Sequence, residues 1–536
     1  MTAFDDALIL LLLVAALSVI GRRLPWPQLI TWLAGGILAA FVPAIPRIPL
    51  DPGLFFFCFL PPLLFADGWL MPLREFVQNR RAILLLAVGL VMFTTALVGL
   101  AAWWLVPGLP LAMAFALGAI VSPTDAVAVN AITSRLRVPA RVTTILNGES
   151  LMNDATGLVA FQFALAAVAA GGFSAGRMTA EFLLLAGGGS AVGLAVGWAV
   201  GRLRDLLQRL HADEPVIEIT LSLMTPFAAY LAAHRLELSG ILAVVAAGLY
   251  SGWRDPVRMS VETRQQAYAV WGLFLFWLNG IAFVLLGLQV PALVAAVGGR
   301  YSAAQLAGFA LAVSLVAIAA RLAWIYAGIF ITRFSRGLCA DNQRAKTGFV
   351  MGWAGMRGTV TLAGALSIPL ALPDGTPFPG RDIVVFLAFG VIAVTLVLQG
   401  STLEALIRRL DLPEDGTLAR EELLARTAAV EAGLKVLRAQ EAAAAGTPET
   451  AAAIGQVISE YEHRLATLTA EGETRRSALD RRRATQGYRV LALQAERQAV
   501  DDLWRSNRIN DDVHRPLQQL LDHEESLLRG SAPPPA

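Results

Sequence analysis

The most informative part of this sequence is Asn147-Gly148-Glu149-Ser150-Leu151-Met152-Asn153-Asp154-Ala155-Thr156-Gly157, which places two acids at the mouth of an apolar run. The acids are Glu149 and Asp154, and the run extends from residue 155 to residue 170. A charge within a bilayer costs roughly 2.5–3.5 kcal/mol on insertion scales, so such charges are retained mainly where they function. Upstream, Val121-Ser122-Pro123-Thr124-Asp125-Ala126 also places a carboxylate beside apolar residues. We expect both stretches to form one cation site within a membrane.

The composition indicates a membrane protein with a soluble tail. Of the 536 residues, 56% are hydrophobic and 16% are charged, whereas soluble domains have about 25% charged residues. Residues 1–410 contain 27 Lys and Arg against 20 Asp and Glu, and residues 411–536 contain 16 against 21. The first part therefore predicts a membrane domain with basic loops, and the second an acidic cytoplasmic domain. The acidic N-terminus predicts a retained first span and no secretory signal.

Thirteen apolar segments divide residues 1–410, and each is about long enough to cross a hydrocarbon core of about 30 Å. Their predicted bounds are 5–21, 25–42, 54–70, 82–106, 110–131, 150–171, 181–201, 215–234, 238–252, 267–290, 303–331, 347–371 and 382–407. The loops between them alternate in charge, with 20 Lys and Arg residues in one set and 5 in the other. The positive-inside rule then predicts a multi-pass inner-membrane protein with its N-terminus outside and its C-terminal tail in the cytoplasm.

Thirteen spans can form two six-span halves of opposite orientation joined by a linker span, the inverted-repeat layout of many secondary transporters. Span 5 then corresponds to span 12. Both contain helix-breaking residues, Ser122-Pro123-Thr124 in span 5 and Gly352, Gly355 and Gly358 around Arg357 in span 12. Paired interruptions predict crossed broken helices at a substrate site. The alternative is that Gly and Pro are simply common in membrane helices.

Residues 411–536 are polar and favour helix throughout. Long helices are predicted over residues 418–445 and 450–483. Residues 484–529 predict two more helices, separated near Arg508-Ile509-Asn510, and a Pro-rich end follows. We therefore predict a helical cytoplasmic tail.

The predicted cation ligands are oxygen atoms of the two acidic stretches. Ser150 and Asp154 are four residues apart, so they share one face of a helix. Thr124 can offer a backbone carbonyl at the Pro123 interruption, and Asp125 adds a second carboxylate. We expect Na⁺ to bind Asp154, Asp125, Ser150 and Thr124. The alternative for Asp154 is a hydrogen bond that only holds two helices together.

The same carboxylate can take part in proton exchange, because desolvation favours the neutral form of an acid. Proton and cation then compete for Asp154, and competition alone produces exchange. Asn153 points about 100° away from Asp154 on the helix, so it is expected to bond polar groups of broken span 5 without titrating. The spans contain no lysine. One titrating site predicts one cation for each proton, with no net charge moved.

Arg357 has no acidic neighbour within its span, and an unpaired guanidinium is not stable in hydrocarbon. We therefore predict a structural ion pair between Glu149 and Arg357, with Glu149 as a direct cation ligand the alternative. Arg321 is expected to bind backbone carbonyls or Glu218. Asp67 and Glu218 are more typical of helix packing or an entry funnel than of a binding site.

Other classes of function lack support in the sequence. The five histidines and two cysteines show no zinc-ligand spacing, and there is no phosphate-binding glycine loop. We therefore expect no enzyme activity, no catalytic residue, no cofactor beyond the transported ions, and neither ATP nor nucleic acid as a partner. We expect the protein to be surrounded by membrane lipid. A gated conductance or sensor on the same membrane fold is the remaining alternative.

Five motifs together resemble the electroneutral sodium/proton exchangers of the monovalent cation/proton antiporter family. They are Gly148-Glu149-Ser150-Leu151-Met152-Asn153-Asp154, Ser122-Pro123-Thr124-Asp125-Ala126-Val127-Ala128, Gly355-Met356-Arg357-Gly358, Leu238-Ser239-Gly240-Ile241-Leu242-Ala243-Val244-Val245-Ala246-Ala247-Gly248 and Phe59-Leu60-Pro61-Pro62-Leu63-Leu64-Phe65. The resemblance covers residues 5–410. It includes Asn153, where the electrogenic branch has Asp.

The resemblance implies a homodimer that works by an elevator movement. Spans 1–3 and 7–10 would form a static dimerisation part, and spans 4–6 and 11–13 an ion-carrying core. In the family, the positions of Thr124, Asp125, Ser150 and Asp154 coordinate the cation, and those of Glu149 and Arg357 form the ion pair. Some members prefer potassium or accept both ions, so the resemblance leaves sodium and potassium open.

Overall fold

The computed structural model describes residues 3–530, except 25, 44, 46–51, 134–135, 137, 171–174, 211–213, 337–341, 373, 413–416, 444–447, 471 and 507. Over these residues the chain is helical, with one isolated antiparallel bridge between Ala371 and Pro377. It forms two compact units, Met1–Glu414 and Asp415–Ala536.

The first unit contains helices α1 to α16. They are α1 (Ala3–Gly21), α2 (Gln28–Ala39), α3 (Pro52–Trp69), α4 (Leu73–Leu84), α5 (Val91–Leu105), α6 (Leu111–Val121), α7 (Ala126–Thr133), α8 (Ala140–Ala170), α9 (Ala175–Arg209), α10 (Pro215–Arg235), α11 (Gly240–Arg258), α12 (Val261–Gly298), α13 (Ala303–Arg336), α14 (Asn342–Trp353), α15 (Thr359–Leu366) and α16 (Arg381–Leu410). A π-helical segment, Leu85–Leu90, makes α4 and α5 one continuous rod.

Each predicted apolar segment overlaps a helix of this unit. Within the described residues, eight helices are long and apolar enough to cross a membrane, and two shorter apolar helices, Gln28–Ala39 and Phe55–Trp69, accompany them. A multi-pass helical membrane protein is therefore established. The count of thirteen crossings stays a prediction.

The two predicted interruptions are present and they touch. The first separates α6 from α7 at residues 122–125, and the second separates α14 from α15 at residues 354–358. The backbone N–H of Asp125 donates to the carbonyl of Met356 at 2.8 Å, which joins one break directly to the other. Pro123 has no backbone N–H and interrupts the helical hydrogen bonds. The contact between the two breaks then replaces helical hydrogen bonds that are lost there.

Helix α8 begins at Ala140, ten residues before the predicted start of its span. The predicted bound was wrong because the first ten residues of α8 are mixed in polarity. The predicted segment contained only the more apolar residues that follow them. The motif from Asn147 to Gly157 therefore lies inside a long helix and not at its mouth. A polar motif in mid-helix can face a site enclosed on all sides by other helices.

The helices around this motif are the most enclosed. Inside the most apolar stretch of Leu111–Thr133, 78% of residues are buried, and in Arg381–Leu410 the fraction is 72%. In Leu184–Arg209 it is only 22%, although Gly193 of that helix packs against the backbone of Ala243 in α11. The broken helices and α16 therefore form the interior of the unit, and α9 exposes most of its surface.

The second unit contains α17 (Thr417–Ala443), α18 (Pro448–Thr469), α19 (Gly472–Arg505) and α20 (Asp511–Gly530). The predicted break near residues 508–510 is confirmed. The predicted end of a helix at residue 483 was wrong, because α18 ends at Thr469 and α19 continues from residue 472 to residue 505. Helix-favouring residues fill both segments, so composition alone could not locate this boundary. The Pro-rich end, residues 531–536, lies outside the described residues.

Candidate functional site

A cavity of about 20 Å³ lies where the two breaks meet α3 and α8. That volume is about the space that one water molecule or small ion needs. The lining residues are Leu63, Asp67, Pro123, Thr124, Asp125, Val127, Ser150, Asp154, Gly358, Thr359, Val360 and Thr361. All four predicted cation ligands therefore face one small cavity, although they come from separate segments of the chain.

Ser150 links α8 to the first break. Its hydroxyl donates to the carbonyl of Thr124 at 2.8 Å and accepts from the backbone N–H of Ala126 at 3.0 Å. The Thr124 carbonyl is outside the helical ladder, as the Pro123 interruption predicted, but the serine hydroxyl already occupies one of its two acceptor positions. An ion at the cavity would use the other.

Asp125 immediately precedes helix α7 and caps its N-terminus. Its Oδ1 accepts from the backbone N–H of Val127 at 2.8 Å and of Ala128 at 3.4 Å, as the side chain of an N-cap residue does. Its Oδ2 is buried beside Gly358 and makes no hydrogen bond of normal geometry with a described residue, while the backbone N–H of Thr359 also approaches the carboxylate. One oxygen therefore fixes the carboxylate in place, and the other remains available to a cation.

Asp154 lies one turn beyond Ser150 and is only 4% exposed. Among the described residues, no side chain or backbone group donates a hydrogen bond to its carboxylate. A buried acid without donors is stabilised either by a proton or by a cation, because the bare charge is strongly disfavoured there. Asp154 is therefore chemically suited to alternate between the two occupants.

Asn153 performs the expected role. Its Nδ2 donates to the hydroxyl of Thr124 at 3.0 Å, which ties α8 to the first break next to the serine link. Because an amide does not titrate, this tie persists whatever the protonation state of Asp154.

The predicted pair of Glu149 with Arg357 was wrong. Glu149 forms a two-point ion pair with Arg321 of α13: its Oε1 bonds Nη1, and its Oε2 bonds Nη2 at 2.8 Å. Both side chains are about 1% exposed. Arg321 Nε also donates to the Met351 carbonyl at 3.1 Å, so the expected carbonyl contact is present, but its acid is Glu149 and not Glu218.

Arg357 binds backbone carbonyls instead of an acid. Its Nε donates to the Val121 carbonyl at 3.0 Å, and its Nη1 bonds the Gly355 carbonyl. Val121 ends α6, where the last carbonyls have no helical partner and the helix dipole favours a positive charge. The predicted partner of Arg357 was wrong because the free carbonyls at a helix end can also satisfy a buried guanidinium.

Asp67 was predicted to serve helix packing or an entry funnel, and it lines the cavity from α3. The sequence feature that could have indicated a functional Asp67 is Pro61-Pro62. These two helix-disfavouring residues lie in the same apolar helix, shortly before the acid. Within the described residues, no three His, Cys, Asp or Glu side chains converge closely enough to hold one metal ion. Three aspartates, Asp67, Asp125 and Asp154, line the cavity. Hydroxyl and carbonyl oxygens would complete the set of ligands for a cation.

Glu218 lies elsewhere, in a buried polar cluster between α9, α10 and α11. Gln208 approaches its carboxylate at 3.5 Å, and Arg204 pairs with Asp255 at 2.7 Å within the same cluster. The location supports a role for Glu218 in helix packing.

These features define a multi-pass membrane protein with a buried carboxylate site at two interrupted helices. The family described as sodium/hydrogen exchanger, transmembrane, matches residues 8–409 of the sequence. The chain belongs to this sodium/hydrogen exchanger family.

Relatives match over nearly the whole chain. A sodium, potassium, lithium and rubidium/H⁺ antiporter of Bacillus pumilus is 36% identical, over 99% of this chain and 79% of its own length. An uncharacterized Na⁺/H⁺ exchanger of Escherichia coli is 35% identical, over 98% and 99%. The sodium proton antiporter MjNhaP1 of Methanocaldococcus jannaschii shares the fold, with a TM-score of 0.59 at 20% identity, over 76% of this chain and 99% of that one. These relatives are named as antiporters or exchangers of monovalent cations and protons.

Proposed function

We propose that the protein is an electroneutral Na⁺/H⁺ antiporter that exchanges cytoplasmic Na⁺ or Li⁺ for an external proton at one carboxylate site. The observation that supports this most directly is the cavity at the crossing of the two breaks, where the buried Asp154 carboxylate faces Asp125, Ser150 and Thr124. The cation is the substrate and would bind between these oxygens.

Exchange follows from occupancy of Asp154. With a proton or with a cation, the Asp154 carboxylate is close to neutral and can pass the hydrophobic interior; empty, it is a bare charge whose desolvation is costly. The two occupants therefore cross in opposite directions without a further energy source. Asp67, which lines the cavity from α3, adds a third carboxylate near the bound cation.

Everted membrane vesicles test this function. With a proton gradient imposed and a pH-sensitive dye inside, addition of Na⁺ or Li⁺ should release protons from the vesicles and restore fluorescence. Vesicles without the protein are the control. An absence of any cation-dependent response with correctly inserted protein would reject the proposal.

Potassium exchange is the second candidate function, because the Bacillus pumilus relative is named for sodium, potassium, lithium and rubidium. The same vesicle assay with K⁺ or Rb⁺ in place of Na⁺ separates a sodium antiporter from a dual or potassium antiporter. A gated conductance on the same fold would instead give currents beyond the rates of a carrier.

Electroneutrality is proposed from the neutral Asn153 beside Asp154 and from the absence of lysine in the predicted spans. One proton for one monovalent cation moves no net charge. The initial exchange rate should therefore be the same at an imposed membrane potential and at zero potential. A rate that rises with the potential would indicate unequal stoichiometry.

We further propose a homodimer in the inner membrane with thirteen spans arranged as inverted repeats. Its N-terminus lies outside, and the core of spans 4–6 and 11–13 moves as an elevator against spans 1–3 and 7–10. The arrangement of two touching breaks supports this layout, because each half of an inverted repeat supplies one. Cross-linking between single cysteines in α3 and α8, trapped on each side of the exchange cycle, would detect the relative movement.

Substitution of Gly358 by Ala is expected to abolish exchange. A Cβ at this position would overlap the Asp125 carboxylate, so either the carboxylate or the second break must move. Displacements of about 1 Å at a functional centre can reduce rates by about 100-fold. Gly308→Ala, whose Cβ would meet no atom within 4 Å, is the matched control in the vesicle assay. Full activity of Gly358→Ala would mean that Asp125 does not need its observed position.

A chain that ends after Glu414 is expected to retain exchange, because every residue that lines the cavity lies in the unit Met1–Glu414. The vesicle assay over a range of pH compares it with the full chain. A shifted pH profile would assign a regulatory role to the tail, and an unchanged profile would leave it a role in assembly. Loss of exchange with normal membrane insertion would contradict the expectation.

A further inference from the structure

Helices α9 and α11 run in parallel and pack closely against each other. A Cβ on Gly193 of α9 would overlap the backbone of Ala243 in α11, and further along, Arg204 pairs with Asp255 at 2.7 Å. The contacts advance in the same direction along both helices, so their C-terminal ends lie side by side. Charged residues begin to replace apolar ones at these ends, which places them at the boundary between hydrocarbon and water.

Each of the two ends exposes a tryptophan ring beneath an arginine. The guanidinium of Arg202 lies 5.5 Å from the centre of the Trp198 ring on α9, and that of Arg254 lies 4.5 Å from the centre of the Trp253 ring on α11. The tryptophans are 53% and 55% exposed, and both arginines are exposed as well. Attraction between a cation and an aromatic face holds each guanidinium close to an apolar surface.

Tyr250 connects the two pairs. Its ring lies 3.1 Å from the position that a Cβ on Gly197 would take, and Gly197 precedes Trp198 in the chain. The centre of the same ring lies 6.5 Å from that of Trp253. Val257, about one turn beyond Trp253, is 88% exposed. The resulting surface, which we call the α9–α11 patch, consists of Trp198, Arg202, Tyr250, Trp253, Arg254 and Val257.

The α9–α11 patch carries an excess of positive charge. The acids of these helix ends, Asp205 and Asp255, already pair with two other arginines. Within the described part of the chain, no acid lies within ion-pair distance of Arg202 or Arg254. A second copy of the chain would place like charges opposite each other across a two-fold axis. The partner that fits this surface is therefore anionic and has apolar chains of its own.

We propose that the α9–α11 patch binds an anionic phospholipid. Arg202 and Arg254 hold the phosphate group, and the aromatic rings and Val257 pack against the upper part of the acyl chains. Tryptophan is enriched where a membrane meets water, and each arginine near an anionic headgroup adds electrostatic attraction. The bound lipid fills the surface that α9 and α11 share, so it stabilises the packing of these two helices. This binding does not depend on the proposed exchange function.

The test is a thermal-unfolding titration of the purified full-length protein in a neutral detergent. Phosphatidylglycerol should raise the unfolding temperature in a saturable manner, and phosphatidylcholine should not. Arg202→Gln combined with Arg254→Gln should weaken the effect of phosphatidylglycerol at least about tenfold in lipid concentration. The matched control is Arg80→Gln combined with Arg81→Gln, which removes two exposed charges of α4 that stack on no described aromatic ring. It should leave the titration unchanged.

A second variant separates a lipid site from attraction between charges alone. Trp198→Leu combined with Trp253→Leu keeps both arginines and the apolar character, but it removes the rings on which the guanidinium groups stack. This variant should weaken the effect of phosphatidylglycerol at least about threefold.

Three results would overturn the proposal. Equal stabilisation by phosphatidylcholine would show that the headgroup charge is not recognised. Equal stabilisation by glycerol 3-phosphate would show that the surface binds a free phosphate and needs no acyl chain. An equal loss in the α4 variant would show a general effect of net charge and no site at α9 and α11. None of these results bears on exchange, which the vesicle assay measures separately.

Discussion

Asp154→Asn should reduce cation-dependent proton release to the level of vesicles without the protein, at every pH and with every cation tested. The substitution keeps the shape of the side chain but removes the group that binds proton and cation in turn. Asp154 is buried at the cavity, and no described residue donates a hydrogen bond to its carboxylate, so a neutral amide should fit there without unfolding the protein. The vesicle assay with dye and the same measurement in reconstituted liposomes both check the result.

The control for this variant is Glu404→Gln, which removes an exposed carboxylate of α16 that pairs with Arg408. Exposed ion pairs contribute about 0–1 kcal/mol, so this change should leave both stability and exchange as they are. Asp154→Asn should remain as abundant and as thermally stable as the wild type. Normal exchange by Asp154→Asn would place the exchanging carboxylate elsewhere, at Asp125 or Asp67.

Arg321→Met should be the most destabilising single change among the buried charges. It leaves Glu149 buried without its partner, and breaking one side of a buried ion pair costs about 3–5 kcal/mol. Arg357→Met removes hydrogen bonds to the Val121 and Gly355 carbonyls but strands no carboxylate. Its cost should be smaller, because an unpaired neutral carbonyl is less costly to bury than an unpaired carboxylate. Thermal stability in detergent, measured for both variants, gives the order.

A double-mutant comparison then identifies the partner of Glu149. Adding Glu149→Gln to Arg321→Met removes the stranded charge and should recover part of the lost stability. Adding the same change to Arg357→Met should recover none and should destabilise further, because Arg321 then loses its acid. The reverse pattern would show that Glu149 pairs with Arg357 and would restore the assignment made from the sequence.

The all-helical class, the membrane unit and the interruptions at residues 122–125 and 354–358 were predicted from the sequence. Each depends on local chemistry. Apolar runs of the length of a bilayer must form helices to satisfy their backbone, and Pro or clustered Gly interrupt them. The spacing of Ser150 and Asp154 likewise follows from helical geometry alone, which is why both side chains were expected at one point.

Helix boundaries within polar sequence were harder to predict. The start of α8 at Ala140 and the break between α18 and α19 both lie where composition changes little. Tertiary packing determines where such helices begin and end, because a polar turn is stable in a helix only when its neighbours satisfy it. The motif that contains Asp154 therefore lies at the centre of a helix, although apolarity had suggested its edge.

By itself, the sequence identified the candidate cation ligands, because few ionisable groups fall inside the apolar segments and their spacing fixes a common helix face. Only the tertiary structure decided their partners. Arg321 is 172 residues from Glu149, and Asp67 reaches the cavity from a separate helix, so neither relation leaves a local pattern. A charge within a membrane must be neutralised by whatever group the fold brings near it, and that group can be an acid, a carbonyl or the transported ion.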